Sequence, residues 1–227
     1  MTCIGIKSKH RVATFGEVFT PDNIVNDMLD LVKDDSYKLD STFLEPACGN
    51  GNFLIPILER KLQTASKLSL EDFDRNVFIA LSSIYAIDIQ KDNIEEAKER
   101  ILDTINETYE KVTNSKPSPN MLKVLQHILD TNIIYGNGLT GLREDTSTDI
   151  IIAEWNIKGD TVTRKDFTFN QLLTPMTRDD AKTEYEPIRF KHIYNAVQKE
   201  KEKESAANDI FSEFGFWKAD SVWDIIK

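Results

Sequence analysis

Between about residues 43 and 153, short apolar runs alternate with longer segments in which apolar residues recur at helical spacing. The runs are unbroken by proline, as is typical of buried strands, and they predict strands over residues 42–45, 84–88, 132–135 and 149–153. Strands that alternate with helices form parallel sheets with crossover helices. The pattern therefore predicts an α/β fold with a mostly parallel sheet.

The segments between these strands predict helices over residues 51–67, 73–83, 91–112 and 120–130. In the last of them, Met121, Val124, Leu125 and Ile128 recur at intervals of three and four residues, as one face of a helix requires. Helices of this kind are expected to cover the faces of the sheet.

A further helix is predicted ahead of the sheet. Thr20 is expected to be its N-cap, Pro21 its first residue and Asp22 an acid in its first turn. An apolar stripe on this helix is expected to be buried. Its members are Ile24, Val25, Met28, Leu29 and Val32.

The pattern weakens after residue 160. Residues 161–169 predict a strand or hairpin, residues 187–206 a charged helix, and residues 209–217 form an aromatic-rich segment. We therefore expect a core over residues 1–160 and a C-terminal extension over residues 161–227, packed on the core or on a partner.

Composition narrows the class of protein. The chain has 227 residues, enough for one sizeable domain, and only two cysteines and three histidines, without ligand spacing. These exclude a disulfide framework and a four-thiolate metal site. The chain has no apolar run long enough to span a membrane and no secretion signal at its start. We expect a soluble, cytoplasmic protein without a metal.

The formal net charge is −10, from 28 Lys+Arg and 38 Asp+Glu, so the mean field repels phosphates. The acidic excess lies mainly between residues 17 and 149, whereas residues 158–205 are nearly balanced. If the protein contacts DNA, this balanced stretch is the candidate surface, although a solvated helix face is the better explanation for most of its charges. Its relevant residues are Arg164, Lys165, Arg178, Arg189 and Lys191.

The candidate chemistry lies at the ends of the first two predicted strands. Glu45 ends the first strand, Gly49 and Gly51 lie in the loop that follows, and Asp88 ends the second strand. Glycines let the backbone approach a ligand, and a carboxylate at the second strand end can accept both hydroxyls of a ribose. Because Glu45 suits a cation better than a phosphate, the residues predict a site for a positively charged nucleoside.

Four segments occur in a fixed order along the chain: FGEVFTP at residues 15–21, EPACGNGNF at 45–53, IDI at 87–89 and YGNGL at 135–139. This set resembles the cofactor-binding part of N6-adenine DNA methyltransferases, such as the modification subunits of type I restriction systems. The resemblance covers about residues 13–153. It implies a Rossmann-like methyltransferase fold, truncated relative to the full sheet, and S-adenosyl-L-methionine as the cofactor.

The resemblance also implies roles for particular residues. The turn at residues 19–21 would close over the methionine end of the cofactor, Asp88 would hold the ribose, and Ile89 would lie against the adenine. Asn137 stands where the family usually has an acid that reads the adenine amino group. For Cys48, Phe53 and Ile89, ordinary core packing is the alternative. The implied cofactor residues are Phe19, Thr20, Pro21, Glu45, Cys48, Gly49, Gly51, Phe53, Asp88, Ile89 and Asn137.

The chain departs from the family at its catalytic motif. The family has Asn or Asp followed by Pro-Pro-Tyr after the fourth strand, and here Glu154 and Trp155 occupy that place. Three interpretations follow. The pair could be a divergent catalytic site in which Glu154 accepts from the target amino group and Trp155 stacks on the base. The site could bind cofactor without transferring methyl. The pair could also be a strand-end acid and a packed indole, with the chemistry supplied by another chain.

We therefore expect an S-adenosylmethionine-dependent, adenine N6-specific DNA methyltransferase, or its cofactor-binding subunit, in a restriction-modification setting. Its partners would be DNA and a separate specificity or catalytic subunit. The main alternative is a catalytically inactive cofactor-binding or assembly module that pairs with another subunit. A further alternative is a methyltransferase that acts on RNA or protein.

Overall fold

A computed structural model describes residues 6–173 and 181–213 of the chain. The described part is a mixed α/β structure. The end of the aromatic-rich segment and Arg178 lie outside the described residues.

A small sheet with three parallel strands forms the centre of the fold. Its strands are β1 (Phe43–Glu45), β2 (Ile84–Asp88) and β3 (Ile133–Asn137), in that order, and β4 (Leu142–Arg143) pairs antiparallel with β3. Every residue of β2 is buried, as expected of a strand that has neighbours on both sides. The first three predicted strands are therefore confirmed.

Helices surround this sheet. Three short helices precede it, four longer helices connect and flank the strands, and two follow in the C-terminal part. The helices are α1 (Lys9–Phe15), α2 (Asp22–Asp30), α3 (Lys33–Tyr37), α4 (Leu54–Ala65), α5 (Phe73–Ser82), α6 (Lys91–Thr113), α7 (Pro119–Asn132), α8 (Phe169–Leu172) and α9 (Ile193–Glu213). The four helices predicted between the strands are confirmed, with small shifts at their ends.

The two faces of the sheet are covered differently. Ile84, Ala86 and Ile133 belong to the large apolar core that helices α4 to α7 build. Neighbouring side chains of a strand point to opposite faces, so Tyr85 and Ile87 point the other way, into a second, smaller apolar cluster. Three residues from later in the chain complete that cluster: Ile150, Ile152 and Phe169.

The fourth predicted strand does not extend the parallel sheet. It is the start of β5 (Ile151–Lys158), which pairs antiparallel with β6 (Thr161–Thr168) along all eight residues. The expectation of a fourth parallel strand over residues 149–153 is thus wrong. A short apolar run predicts a buried strand but not its pairing partner. Here the turn at Gly159, whose φ of +62° favours glycine, directs the chain into a hairpin.

The boundary expected at residue 160 falls within this hairpin turn, so it does not separate two domains. Two short strands, β7 (Thr183–Glu184) and β8 (Ile188–Arg189), also pair with β6. Helix α9, preceded by a 3-10 turn, packs against α7. The described part of the predicted extension therefore shares a sheet and a core with the rest of the chain.

Helix α2 begins at Asp22, with Pro21 as its N-cap, so Thr20 does not cap it. Of the predicted apolar stripe, Val25 and Leu29 are buried. Ile24, Met28 and Val32 are 43%, 49% and 45% exposed. The expectation that the whole stripe is buried is wrong, because the described chain packs on only one side of this helix.

Candidate functional site

A cavity of about 300 Å³ lies at the carboxyl ends of β1 and β2, and residues 16–20 form part of its wall. Parallel strands present their carboxyl ends on one side of the sheet, and this is where α/β folds place ligands. The structure brings eight of the predicted cofactor residues together here: Phe19, Thr20, Glu45, Cys48, Gly49, Phe53, Asp88 and Ile89. We call this cavity the strand-end pocket.

Asp88 holds the loop that follows β1. The carboxylate of Asp88 accepts hydrogen bonds from the Gly49 backbone N–H at 2.8 Å and from the Gln90 backbone N–H at 2.8 Å. The side-chain amide of Asn93 donates a third at 3.3 Å. Asp88 is only 7% exposed, so these bonds offset the cost of burying its charge. A carboxylate has about four acceptor sites, which leaves capacity for a ligand.

Gly49 has a φ of +54°, in the left-handed region. A Cβ atom added at this position would lie 2.8 Å from Cε1 of the Phe19 ring. The ring of Phe19 therefore packs directly on the backbone of the loop, and only glycine satisfies both the conformation and the contact. This packing contact fixes how residues 16–20 approach the loop after β1.

Glu45 is half-buried on the wall of the pocket. Its carboxylate accepts one long hydrogen bond, from the Ala47 backbone N–H at 3.3 Å. Burial, and secondarily the nearby charge of Asp88, raise the pKa of Glu45 above its ordinary value. None of the described residues that line the pocket is Lys, Arg or His. The wall of the pocket thus has three carboxylates and no basic side chain, and only Glu17 among the three is paired with a cation, Arg11. The unpaired Glu45 and Asp88 favour a positively charged ligand.

Cys48 is buried against the same loop and is only 6% exposed. Burial, and then the charges of Asp88 and Glu45, raise the pKa of its thiol. The thiol is therefore neutral at physiological pH and acts as an apolar wall rather than as a nucleophile.

The N-terminal strap, residues 6–20, is held at the pocket by ionic contacts in addition to the packing of Phe19 on Gly49. The Arg11 guanidinium donates to both carboxylate oxygens of Glu17, at 2.6 and 2.7 Å, and to Asp92 at 2.6 Å. Lys7 bonds Asp92 at 3.1 Å and Asn93 at 2.7 Å. No residue of the strap whose side chain is described is buried in the core.

Asn93 connects the strap to the pocket. Its amide nitrogen donates to Glu17 at 2.7 Å and to Asp88 at 3.3 Å, and its oxygen accepts from Lys7. Asn93 is 1% exposed, in the first turn of α6. Burial acts to raise the pKa of Glu17, but the bonds from Arg11 and Asn93 outweigh it and keep the pKa below its usual range.

Three predicted cofactor residues do not line the pocket: Pro21, Gly51 and Asn137. Gly51 has a φ of +91°, and a Cβ there would come within 3.3 Å of Ala97, so this glycine allows α6 to pack closely. The Asn137 side-chain oxygen accepts from the backbone N–H groups of Leu139 and Thr140, at 2.9 and 3.3 Å. Its acceptor is used to form a turn.

Glu154 and Trp155 lie away from the pocket. They line a different cavity together with Thr42 and Ser83, which precede β1 and β2. This cavity lies at the amino end of the sheet. Asp88 lies at the other end of five-residue β2, about 13 Å away, because a strand rises about 3.3 Å per residue. Reacting atoms must approach to about 3–3.5 Å. The structure does not bring these two residues together with the predicted cofactor site.

Trp155 has structural contacts instead. Its indole N–H donates to Asn132 at 3.3 Å, and its ring packs edge-on against Phe78 with centroids 5.7 Å apart. The guanidinium of Arg164 lies 5.0 Å from the ring centroid. Glu154 is exposed. Trp155 is thus a packed indole, as in the third interpretation above, whereas Glu154 lies in the middle of β5 rather than at a strand end.

Of the candidate DNA-facing residues that the structure describes, Arg189 and Lys191 are exposed, whereas the charges of Arg164 and Lys165 are already paired. Arg164 is 8% exposed, and its guanidinium pairs with both oxygens of Asp166 and with Glu200. Lys165 is paired with Glu184 at 3.1 Å. The expectation that Arg164 faces DNA is wrong, because Arg164 is buried and its guanidinium is already paired with the carboxylates of Asp166 and Glu200.

Sequence reasoning missed several residues of the pocket and its strap. Asn93, Gln90 and Arg11 were not predicted, because backbone donors and buried amides carry no periodic signal. Glu17 is part of the FGEVFTP segment and could have been found there. Among residues 6–173 and 181–213, no group of three or more His, Cys, Asp or Glu side chains is arranged to hold a metal.

Within the same described ranges, no helix has both the length and the apolar character needed to cross a membrane. Comparison of the chain with protein-family models, with curated proteins and with solved structures finds no match. Function is therefore inferred from the sequence motifs and the geometry of the pocket.

Proposed function

We propose that the strand-end pocket binds S-adenosyl-L-methionine and that the chain is the cofactor-binding part of an N6-adenine DNA methyltransferase with a Rossmann-like fold. The observation that carries this proposal is the pair of carboxylates, Glu45 and Asp88, in a pocket whose described wall has no basic side chain. The cofactor is a nucleoside that carries a sulfonium and an ammonium group. Such a ligand complements this charge.

The individual residues fit the parts of this cofactor. Asp88, at the end of β2, already accepts three hydrogen bonds and retains about one acceptor site for a ribose hydroxyl. Glu45 has only one long hydrogen bond of its own, so its carboxylate is available to a cation. Ile89 is 42% exposed at the pocket and offers an apolar surface to a base. When bound, the cofactor would supply an activated methyl group.

The charge of the pocket argues against the common phosphate-bearing nucleotides. Glu45 and Asp88, neither of which has a basic partner, repel a pyrophosphate, and the chain's net charge of −10 adds to that repulsion. A dinucleotide or nucleoside triphosphate would therefore bind more weakly than a cationic nucleoside. This distinction can be measured directly.

The role of the chain in methyl transfer follows from the position of Glu154 and Trp155. Since these residues lie at the other end of the sheet, we propose that residues outside the described part of this chain, or of a partner subunit, bind the target adenine. The present residues would bind and orient the cofactor and exclude water from it. This favours the cofactor-binding subunit over a chain whose Glu154-Trp155 pair is catalytic.

Calorimetric titration of the full chain with S-adenosylmethionine tests the proposal. We expect saturable binding that Glu45→Gln weakens by about tenfold or more, because a buried charge pair is worth on the order of 1.4 kcal/mol or more. Glu154→Gln is the matched control and should bind as the wild type does. ATP should not compete.

Asp88→Asn is a second variant, read only if its melting curve shows a folded protein, since Asp88 also holds the Gly49 loop. Absence of binding by the folded wild-type chain contradicts the proposal. Equal binding by wild type and Glu45→Gln contradicts it as well. Transfer of labelled methyl to DNA, checked by a methylation-sensitive nuclease, then separates an active subunit from an inactive binding module.

A further inference from the structure

Strand β1 has a free edge. It lies at the end of the strand order, and among the described residues only β2 pairs with it. The Phe43 N–H donates to Ser83 on the β2 side. Because the backbone groups of a parallel strand alternate in direction, the N–H and C=O of Leu44 point to the free edge. An open edge of this kind is a template for another strand.

An apolar groove runs along this edge. It has a volume of about 200 Å³ and is lined mainly by Met28, Val32, Phe43, Leu44, Phe53 and Ile57. Leu44 is 43% exposed and Met28 49% exposed, so the groove presents large apolar side chains to water. We call it the edge groove. Open backbone groups beside apolar side chains favour an extended, apolar occupant.

The charge near the groove selects among possible occupants. Met28, Leu29 and Val32 line the groove and belong to residues 22–37, which contain five exposed aspartates and one lysine. Only Asp30 among these aspartates has an arginine partner, Arg60 at 2.8 Å. Glu45 closes one end of the groove. A nucleic acid would be repelled by this acidic segment, and so would the same segment of a second copy of the chain.

We propose that the edge groove docks an extended, apolar segment of a different protein chain, one that carries lysine or arginine beside its apolar residues and pairs with β1 as an added strand. The lysines or arginines would lie against the aspartates of residues 22–37. The segment would also contact Glu45 and Phe53, which line the strand-end pocket too. The edge would be available whether or not that pocket binds a cofactor.

Amide hydrogen exchange on the full chain tests this docking site. In the protein alone, the Leu44 amide should exchange freely while the Phe43 and Glu45 amides are protected. A short peptide of alternating valine and threonine with lysine at both ends should slow exchange at Leu44 by about tenfold or more. The same peptide with glutamate in place of lysine should leave it unchanged.

Two variants test the contact, and a third variant is a control. Leu44→Pro removes the outward N–H, and Met28→Lys places a cation in the groove while leaving the backbone intact. Either should abolish binding of the lysine peptide in a fluorescence anisotropy titration. Leu139→Lys, at a residue 99% exposed and outside the groove, should bind as the wild type does.

Four outcomes would overturn the proposal. Protection of Leu44 in the protein alone at every concentration would show that the chain covers its own edge, and protection only at high concentration would show that a second copy does. Failure of the lysine peptide to bind, or equal binding by folded Met28→Lys and wild type, would overturn it as well. Cofactor titration of the same samples separates these results from failure of the proposed function.

Discussion

Replacing Arg11 by methionine should loosen the N-terminal strap and weaken ligand binding in the strand-end pocket. The change removes two hydrogen bonds to Glu17, at 2.6 and 2.7 Å, and one to Asp92, at 2.6 Å. Methionine keeps most of the length and apolar surface of the arginine stem. The perturbation is therefore mainly a loss of charge and hydrogen bonding.

The two contacts of Arg11 are unequal. The Glu17 side chain is 8% exposed and that of Arg11 is 18% exposed, whereas Asp92 is 53% exposed. An exposed ion pair contributes about 0–1 kcal/mol, so Asp92 matters little. Removing the partner of the buried Glu17 carboxylate costs about 1–3 kcal/mol. Since 1.4 kcal/mol is tenfold in affinity, we expect binding to fall by about 5- to 150-fold if strap closure is required.

The assay has two parts. Calorimetry measures the affinity for S-adenosylmethionine, and amide exchange over residues 9–17 measures strap opening without any ligand. Arg11→Met should change both strongly, and Asp92→Asn should change both by a few-fold at most. Arg143→Met is the matched control, because it breaks an exposed two-bond pair with Asp145, at 2.9 and 2.8 Å, outside the pocket.

Faster exchange in the strap of Arg11→Met with unchanged affinity would refute the idea that the strap contributes to binding. An equal effect of Asp92→Asn and Arg11→Met would refute the argument that the Arg11–Glu17 contact contributes more than the Arg11–Asp92 contact. Because the folded pKa of Glu17 is lowered, its contribution to closure is present above the usual pKa of about 4.3 and is lost as the pH falls through the lower folded value.

Glu45→Gln should raise the melting temperature at neutral pH while it weakens cofactor binding. The pKa of Glu45 is raised in the folded state, so the fold disfavours the ionised carboxylate that glutamine replaces. The gain in melting temperature, measured by scanning calorimetry, should vanish at a pH below about 4.3, where the carboxyl is protonated in both the folded and the unfolded state. Lys61→Met should destabilise the fold by about 1–3 kcal/mol in denaturant titration, since the Lys61 ammonium donates to the carbonyls of Lys38, Leu39 and Ser41 at 2.7 to 3.0 Å; an unchanged midpoint would count against it. Arg164→Met should cost about 3–5 kcal/mol, because Asp166 and Glu200 would lose their buried partner, and a smaller loss than that of Lys61→Met would contradict this ranking.

The sequence predicted well those elements whose pattern is local. Helix α7 shows its apolar spacing directly in the sequence, although its N-cap, Ser118, which accepts from the Met121 N–H, was not predicted. The three strands β1, β2 and β3 are likewise short runs bounded by turn residues. Glu45 and Asp88 were found because both end such strands.

What the sequence did not predict depends on distant contacts. The run at residues 149–153 looks like the other strands, and only the pairing of Ile151 with Thr168 and its successors places it in a hairpin. The exposure of Met28 depends on what lies beside α2 in space. The role of Asn93 depends on its bond to Glu17, which lies 76 positions earlier in the chain. No local pattern contains that information.

The amide of Asn93 has a consequence for how the protein responds to its ligand. One buried side chain is bonded at once to Glu17 of the strap and to Asp88 of the pocket. If ordering of the strap raises ligand affinity by some factor, ligand binding must raise the equilibrium constant for ordering the strap by the same factor, because the free energy that links two sites is reciprocal. The first residues of the chain would then report occupancy, and any binding partner that recognises the ordered strap would distinguish loaded from empty protein.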